Sequence, residues 1–217
     1  FDLGFGGGEL GRQVFKRLPD VLLVYVGIDI SPAAMETAKQ AFQPLYEKGE
    51  IVFEELPILN DEIVDALGRE ASGTSKKVVA VWCGDILALD RHLSPGKIDI
   101  IWHARVFHHL SSADKAHLVD ICRQLALVTV EMDDRNCFWL KFWVMVTTWL
   151  THPDVTLMNG AFLSCLRDPS KEELTGYFKL VPPFSYIRLI FGQDIYPQGG
   201  EWQAARQTLV TGFSFKD

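Results

Sequence analysis

The sequence predicts an α/β fold: a doubly wound, mostly parallel sheet of seven strands with an antiparallel last strand, held between helices as a three-layer αβα sandwich. Three observations carry this. The chain opens on an apolar strand end that runs into closely spaced glycines and then into a helical pattern. Apolar, β-rich runs at residues 21–29, 78–82, 98–102 and 126–131 alternate with helical patterns, the order of a parallel sheet with crossover helices. Two further strand-like runs, residues 184–191 and 208–215, are joined by a Gly- and Pro-rich loop at 192–200, as an antiparallel pair is.

A length of 217 residues, 48% of them hydrophobic, suits one domain with a full core. The net charge of −7 and pI near 5.4 exclude a surface that tracks phosphate backbones, so nucleic acid is not an expected partner. Cys83, Cys122, Cys137 and Cys165 form no C-x-x-C pair, which suggests neither zinc nor a disulfide framework. Reduced core cysteines in a cytoplasmic setting are expected. No apolar run has the length of a membrane span, and no signal peptide is visible. Only Phe1, Asp2 and Leu3 precede Gly4, so the chain is expected to start inside its first strand.

The first element is that strand end, with the loop and helix it feeds. Leu10, Val14, Phe15 and Leu18 mark the apolar face of the helix. Glycine is wanted in the loop because the turn needs positive φ, and because backbone must approach a ligand that a Cβ would exclude. Two registers fit. Gly6, Gly8 and Gly11 form G-x-G-x-x-G, the dinucleotide fingerprint, which implies a nicotinamide cofactor. Asp2, Gly4, Gly6 and Gly8 form D-x-G-x-G-x-G, with an acid placed to meet a cationic ligand.

Residues 21–29 read as a strand buried on both faces and ending in Asp29, about twenty residues past the loop, where an acid receives ribose hydroxyls. Ser31 caps and Pro32 starts the next helix, with Met35, Ala38, Phe42 and Leu45 on one face. Residues 51–77 read as an insertion holding a short strand at 51–53 and a helix at 61–69. Strand 78–82 follows and ends in Cys83-Gly84-Asp85-Ile86, and strand 98–102 leads into His103 and on to His108-His109-Leu110. A helix at 112–125 enters strand 126–131.

Beyond it, residues 133–170 read as a helical insertion opened by Asp133-Asp134. Trp139, Phe142, Trp143, Val146, Trp149 and Leu150 fall on one helical face there, too short to span a bilayer and without a basic flank for anionic lipid. A short helix at 171–178 precedes the final strand pair.

Four of these stretches, in this order, resemble motifs of the class I S-adenosylmethionine-dependent methyltransferases of small-molecule type: Asp2-x-Gly4-x-Gly6-x-Gly8, the Gly84-Asp85-Ile86 strand ending, His108-His109-Leu110, and Ser170-Lys171-Glu172-Glu173-Leu174. The resemblance covers the chain from Asp2 to Phe215, and departs from the family in lacking the usual Pro-Gly turn before strand 126–131. It implies S-adenosyl-L-methionine as cofactor and methyl transfer to a small acceptor by in-line displacement. Asp2 would serve the methionine end, Gly4, Phe5, Gly6 and Gly8 the loop, Asp29 and Ile30 the ribose, Asp85 and Ile86 the adenine, with His103 on the cofactor side. Asp2, Asp29 and Asp85 would then line one cleft. His108 and His109 are the candidates for a general base, because imidazole titrates near neutrality. The insertion would wall an apolar or phenolic acceptor, and no metal is implied, since Asp133-Asp134 alone does not make a site. Two other functions stay open: a catalytically silent cofactor-binding protein that acts through a partner, and an NAD-dependent oxidoreductase.

Overall fold

The structure, a computed structural model, describes residues 1–17, 24–74, 76–104, 106–134, 179–181 and 209–215. Its contacts divide the chain into two compact units, one built on Phe1–Ala104 and Asp120–Thr129, the other on Arg105–Val119 and Val130–Ser214.

The first unit begins with β1 (Asp2–Leu3), α1 (Glu9–Arg17), β2 (Val24–Asp29), α2 (Pro32–Glu47) and β3 (Ile51–Leu56). It continues with α3 (Asp61–Gly73), β4 (Lys77–Cys83), a 3-10 helix (Ile86–Arg91) and β5 (Ile98–Ala104). It also takes the end of α4 (Ser112–Leu125) and the start of β6 (Ala126–Asp134). The strands lie in the order β3-β4-β2-β1-β5-β6, and the ladders joining β1 to β2, β1 to β5, β2 to β4 and β3 to β4 are parallel. The winding reverses at β1. From it the chain goes through α1 to β2 on one side, and β5 later pairs on the other. In such sheets the reversal opens a crevice outside the carboxyl ends of the strands.

One side of this sheet is an aromatic core. Tyr25, Val79 and Phe53 stand in register across β2, β4 and β3 and pack against Phe15 of α1 and Phe42 of α2. The Tyr25 ring lies 5.8 Å from Phe15 and 5.7 Å from Phe42, centroid to centroid. Nearer the carboxyl ends, Phe5, Met35, Ala38 and Val81 form a second cluster. Each large side chain buried this way contributes roughly 1.5–3 kcal/mol relative to exposure. On α2 the spacing Met35, Ala38, Phe42 is the buried face, and Leu45 is half-buried against the same core.

Several boundaries differ from the sequence-based expectation. The strand expected at 51–53 runs to Leu56 and pairs with β4 over six residues, and a strand at Lys179–Val181 is one the sequence pattern does not predict; the described residues hold eight strands. Strand β5 continues through Ala104, which puts His103 on the strand, and β6 continues through Asp134, so Asp133 and Asp134 end a strand instead of opening an insertion. Ser31 occupies the N-cap position of α2 but makes no side-chain capping bond; Pro32 sets the first helical φ and Asp29 takes the Ser31 amide. On α3 the side-chain cap does form, Asn60 accepting from the Ile63 amide at 2.9 Å. Cys122 is buried as expected, whereas Cys83 is exposed because it stands at the very end of β4.

The second unit contains a 3-10 helix (Phe107–His109), the start of α4, the end of β6, β7 (Lys179–Val181) and β8 (Leu209–Phe215) as far as Ser214. Its strand order is β6-β8-β7, with β7 and β8 antiparallel and Leu180 opposite Gly212. The expected strand at 208–215 is β8; the expected strand at 184–191, the aromatic stripe at 139–150 and the helix at 171–178 lie outside the described residues. Among the described residues no helix is long and apolar enough to cross a membrane.

Candidate active site

At the carboxyl end of β1, where the winding reverses, the chain runs into the loop between β1 and α1. Gly4, Gly6 and Gly8 have φ of 66°, 54° and 73°, the left-handed region that glycine enters without strain. These are the alternate glycines of the D-x-G-x-G-x-G register. Gly11 does other work. It lies within α1 against the Tyr25 ring, so closely that any Cβ would overlap the ring. The amides of Gly4 and Phe5 both donate to the Ile28 carbonyl, at 2.7 and 3.3 Å, which ties the loop to β2. A Cβ at Gly6 would meet nothing within 4 Å, so the loop there faces open space that only a side chain or a ligand would fill.

Asp29, at the carboxyl end of β2, fastens this loop. Its Oδ2 accepts from the Gly6 amide at 3.0 Å and its Oδ1 from the Ser31 amide at 2.9 Å. The Asp29 carbonyl accepts from the Gly84 amide at 3.0 Å, and the Cys83 thiol donates to the Ile30 carbonyl at 3.7 Å. These bonds draw the ends of β1, β2 and β4 together. Ile30 is 73% exposed, an apolar side chain on the rim of a polar loop cluster. Asp85 is exposed as well, with Oδ1 accepting from the Leu87 amide at 2.9 Å as the cap of the 3-10 helix, and Ile86 beside it is half-buried. Gly84 is glycine for want of room, since a Cβ would overlap the Trp82 ring.

Asp2 is placed differently. It sits on β1 in register with Gly27 and Trp102, only 1% exposed, and its Oδ2 accepts from the Tyr25 hydroxyl at 2.7 Å. Burial pushes its carboxyl up to about 6, against the pull of the Tyr25 hydroxyl, the neighbouring Trp102 indole and His103. The Phe5 ring packs over Gly27 and is 6% exposed, which leaves the Phe5 backbone as the part that belongs to the loop. His103 is fully buried on β5, in register with Leu3. His108 and His109 belong to the second unit, on the 3-10 helix Phe107–His109, with ring centroids 4.0 Å apart; His108 is half-buried and His109 exposed. Among the described residues no three His, Cys, Asp or Glu side chains are grouped as a metal ion would require.

Motif spacing does not mark Tyr25. The available signal was a phenol inside an otherwise aliphatic strand buried on both faces, since a buried Tyr hydroxyl needs a partner. Gly11 and Gly84 stand in motifs the sequence shows, but the reason each must be glycine does not, because what each clears, Tyr25 and Trp82, is a tertiary neighbour.

No family model and no curated protein matches the chain. Solved structures do. The plantazolicin methyltransferase BamL, crystallised with a triazolic desmethylPZN analog and SAH, superposes with a TM-score of 0.53 at 14% identity, over 99% of this chain and 75% of that one. The methyltransferase domain of bacterial CtHen1 gives 0.51 at 13% identity, over 100% of this chain and 88% of that one. The plantazolicin methyltransferase BpumL in complex with SAH gives 0.51 at 15% identity, over 100% and 74%. The fold is therefore that of the class I S-adenosylmethionine-dependent methyltransferases.

Proposed function

We propose that this chain is an S-adenosyl-L-methionine-dependent methyltransferase whose acceptor is a small apolar or phenolic molecule. The observation that carries the reading is the loop of alternate left-handed glycines at the switch point, open at Gly6 and fastened by Asp29. Its backbone cradles a ligand there without a side chain in the way, and the likeness in fold to methyltransferases crystallised with SAH supports the same choice of cofactor.

Bound there, S-adenosyl-L-methionine supplies an electrophilic methyl group on a positively charged sulfur. The residues that would hold it are the Gly4, Phe5, Gly6 and Gly8 backbone, Asp29 and Ile30 toward the ribose, and Asp85 and Ile86 toward the adenine. Asp2 and His103 lie beneath on the central strands. These residues bind and orient, and orientation alone supplies a large share of the rate in a one-step displacement. For a hydroxyl acceptor a base must also take the proton as the bond to carbon forms, a role that suits imidazoles such as those of His108 and His109.

Calorimetric titration with S-adenosylhomocysteine and with NAD tests the cofactor: micromolar binding of the first and none of the second is expected. NAD binding with no response to S-adenosylhomocysteine would replace this reading by the oxidoreductase suggested by the Gly6, Gly8, Gly11 register. Incubation with methyl-labelled S-adenosyl-L-methionine and a metabolite extract tests turnover. Retained ligand without labelled product would mean a silent binding protein instead.

A further inference from the structure

We propose that Tyr25 is a positioning residue for the cofactor: its hydroxyl, bonded to Asp2 Oδ2 at 2.7 Å beneath the glycine loop, holds the Asp2 carboxylate in one orientation and in its charged form, so that the cationic amino-acid end of the ligand meets a negative charge. The inference rests on the cofactor reading above. It concerns a residue which that reading does not use.

Both partners are 1% exposed, so water does not compete for the bond. The Tyr25 ring cannot turn away. It is packed by Phe15, Phe42 and Trp102, with centroids 5.8, 5.7 and 6.1 Å distant, and α1 lies on it at Gly11. The hydroxyl direction is thus set by three elements at once, and it ends on the strand that feeds the loop. A buried carboxylate with a fixed donor stays ionised at lower pH than one without. Tyr25 itself remains a donor at every relevant pH, its phenol being raised well above the ordinary value by burial and by Asp2. Asp2 acts through its charge here, because its side chain has no open path to solvent.

The test is the pH dependence of S-adenosylhomocysteine affinity in the wild type and in Tyr25→Phe, from about pH 5 to about pH 8, with adenosine, which lacks the cationic tail, as control. Affinity in the wild type should fall below about pH 6. Loss of the donor should move that midpoint up by about one pH unit, so that the variant binds about fivefold more weakly near pH 6 and almost normally near pH 8. Adenosine affinity should not change. His103 and Trp102 also face Asp2, but both are common to the two proteins, so the difference isolates the hydroxyl. In an Asp2→Asn background the difference should vanish.

Equal weakening at all pH values, or for adenosine as well, would reduce Tyr25 to packing and overturn the proposal; so would an unmoved midpoint. Carboxyl carbon NMR of Asp2 in the free protein supplies a readout that needs no ligand, with its resonance assigned by Asp2→Asn. Its titration should shift upward in Tyr25→Phe, and no shift overturns the proposal even if that variant binds poorly. If the wild type binds no S-adenosylhomocysteine at any pH, the cofactor reading fails and takes this inference with it. That result differs from binding with an unmoved midpoint, in which the inference fails alone.

Discussion

The Gly6 amide and the Asp29 carboxylate are joined at 3.0 Å across 23 positions of sequence. One end of this bond is a glycine in the left-handed region, the other the last residue of a buried strand. The carboxylate thereby shapes the loop, and its second oxygen holds the start of α2 through Ser31.

Replacement Asp29→Ala removes both acceptors and should weaken S-adenosylhomocysteine binding by about 2 kcal/mol, the scale of charge-assisted hydrogen bonds. Asp29→Asn keeps one acceptor oxygen and should recover part of the loss. Calorimetry on the three proteins decides the matter, and equal affinities would detach Asp29 from the cofactor.

Gly11→Ala pushes a methyl group into the Tyr25 ring. Overpacking of this kind costs about 1–3 kcal/mol, to be read from urea unfolding. Shrinking the obstacle in the double variant with Tyr25→Leu should make the two changes less than additive. Additive losses would place the strain elsewhere.

Phe42 is fully buried between Phe15, Tyr25 and Phe53. Phe42→Ala should therefore lower stability by about 3–5 kcal/mol, since the surrounding rings are held by three elements and cannot collapse into the space. A loss under 1 kcal/mol in urea unfolding would contradict this packing.

The Asp2 carboxyl, raised from 3.8 to about 6 by burial, links stability to pH. Between these values the folded protein binds more protons at Asp2 than the unfolded chain does, so this contribution is full below pH 3.8 and is lost as pH rises through about 6. The size of the loss is of order 3 kcal/mol. Asp2→Asn cannot titrate. Its stability relative to the wild type should therefore climb between about pH 4 and about pH 7, and a flat difference in unfolding free energy would show that Asp2 is solvated. A charge kept beneath the loop at the expense of stability fits a group retained for binding.

Much of the frame was legible because it rests on local rules. The helix at 112–125 has the limits its sequence pattern predicts, and β2 and β4 follow from unbroken apolar runs. Edges were less legible. Ile51–Leu56 mixes apolar residues with Glu54 and Glu55 because it is an edge strand of the first unit, and so only its first half reads as β. At the site, the loop glycines and Asp29 announced themselves by spacing, whereas the partners of Asp2 did not.

The sequence by itself determined the alternation of strands and helices, the left-handed glycines at 4, 6 and 8, and the acid that closes β2, because each follows from backbone sterics and from periodicity within a few residues of chain. Only the tertiary structure decided that Asp2 lies buried under Tyr25, that Asp29 clasps Gly6, and that Gly11 and Gly84 are small to clear aromatic rings. Those relationships depend on which strands become neighbours at the switch point. Strand order is set by packing summed over the whole sheet and leaves no local mark on the residues it brings together.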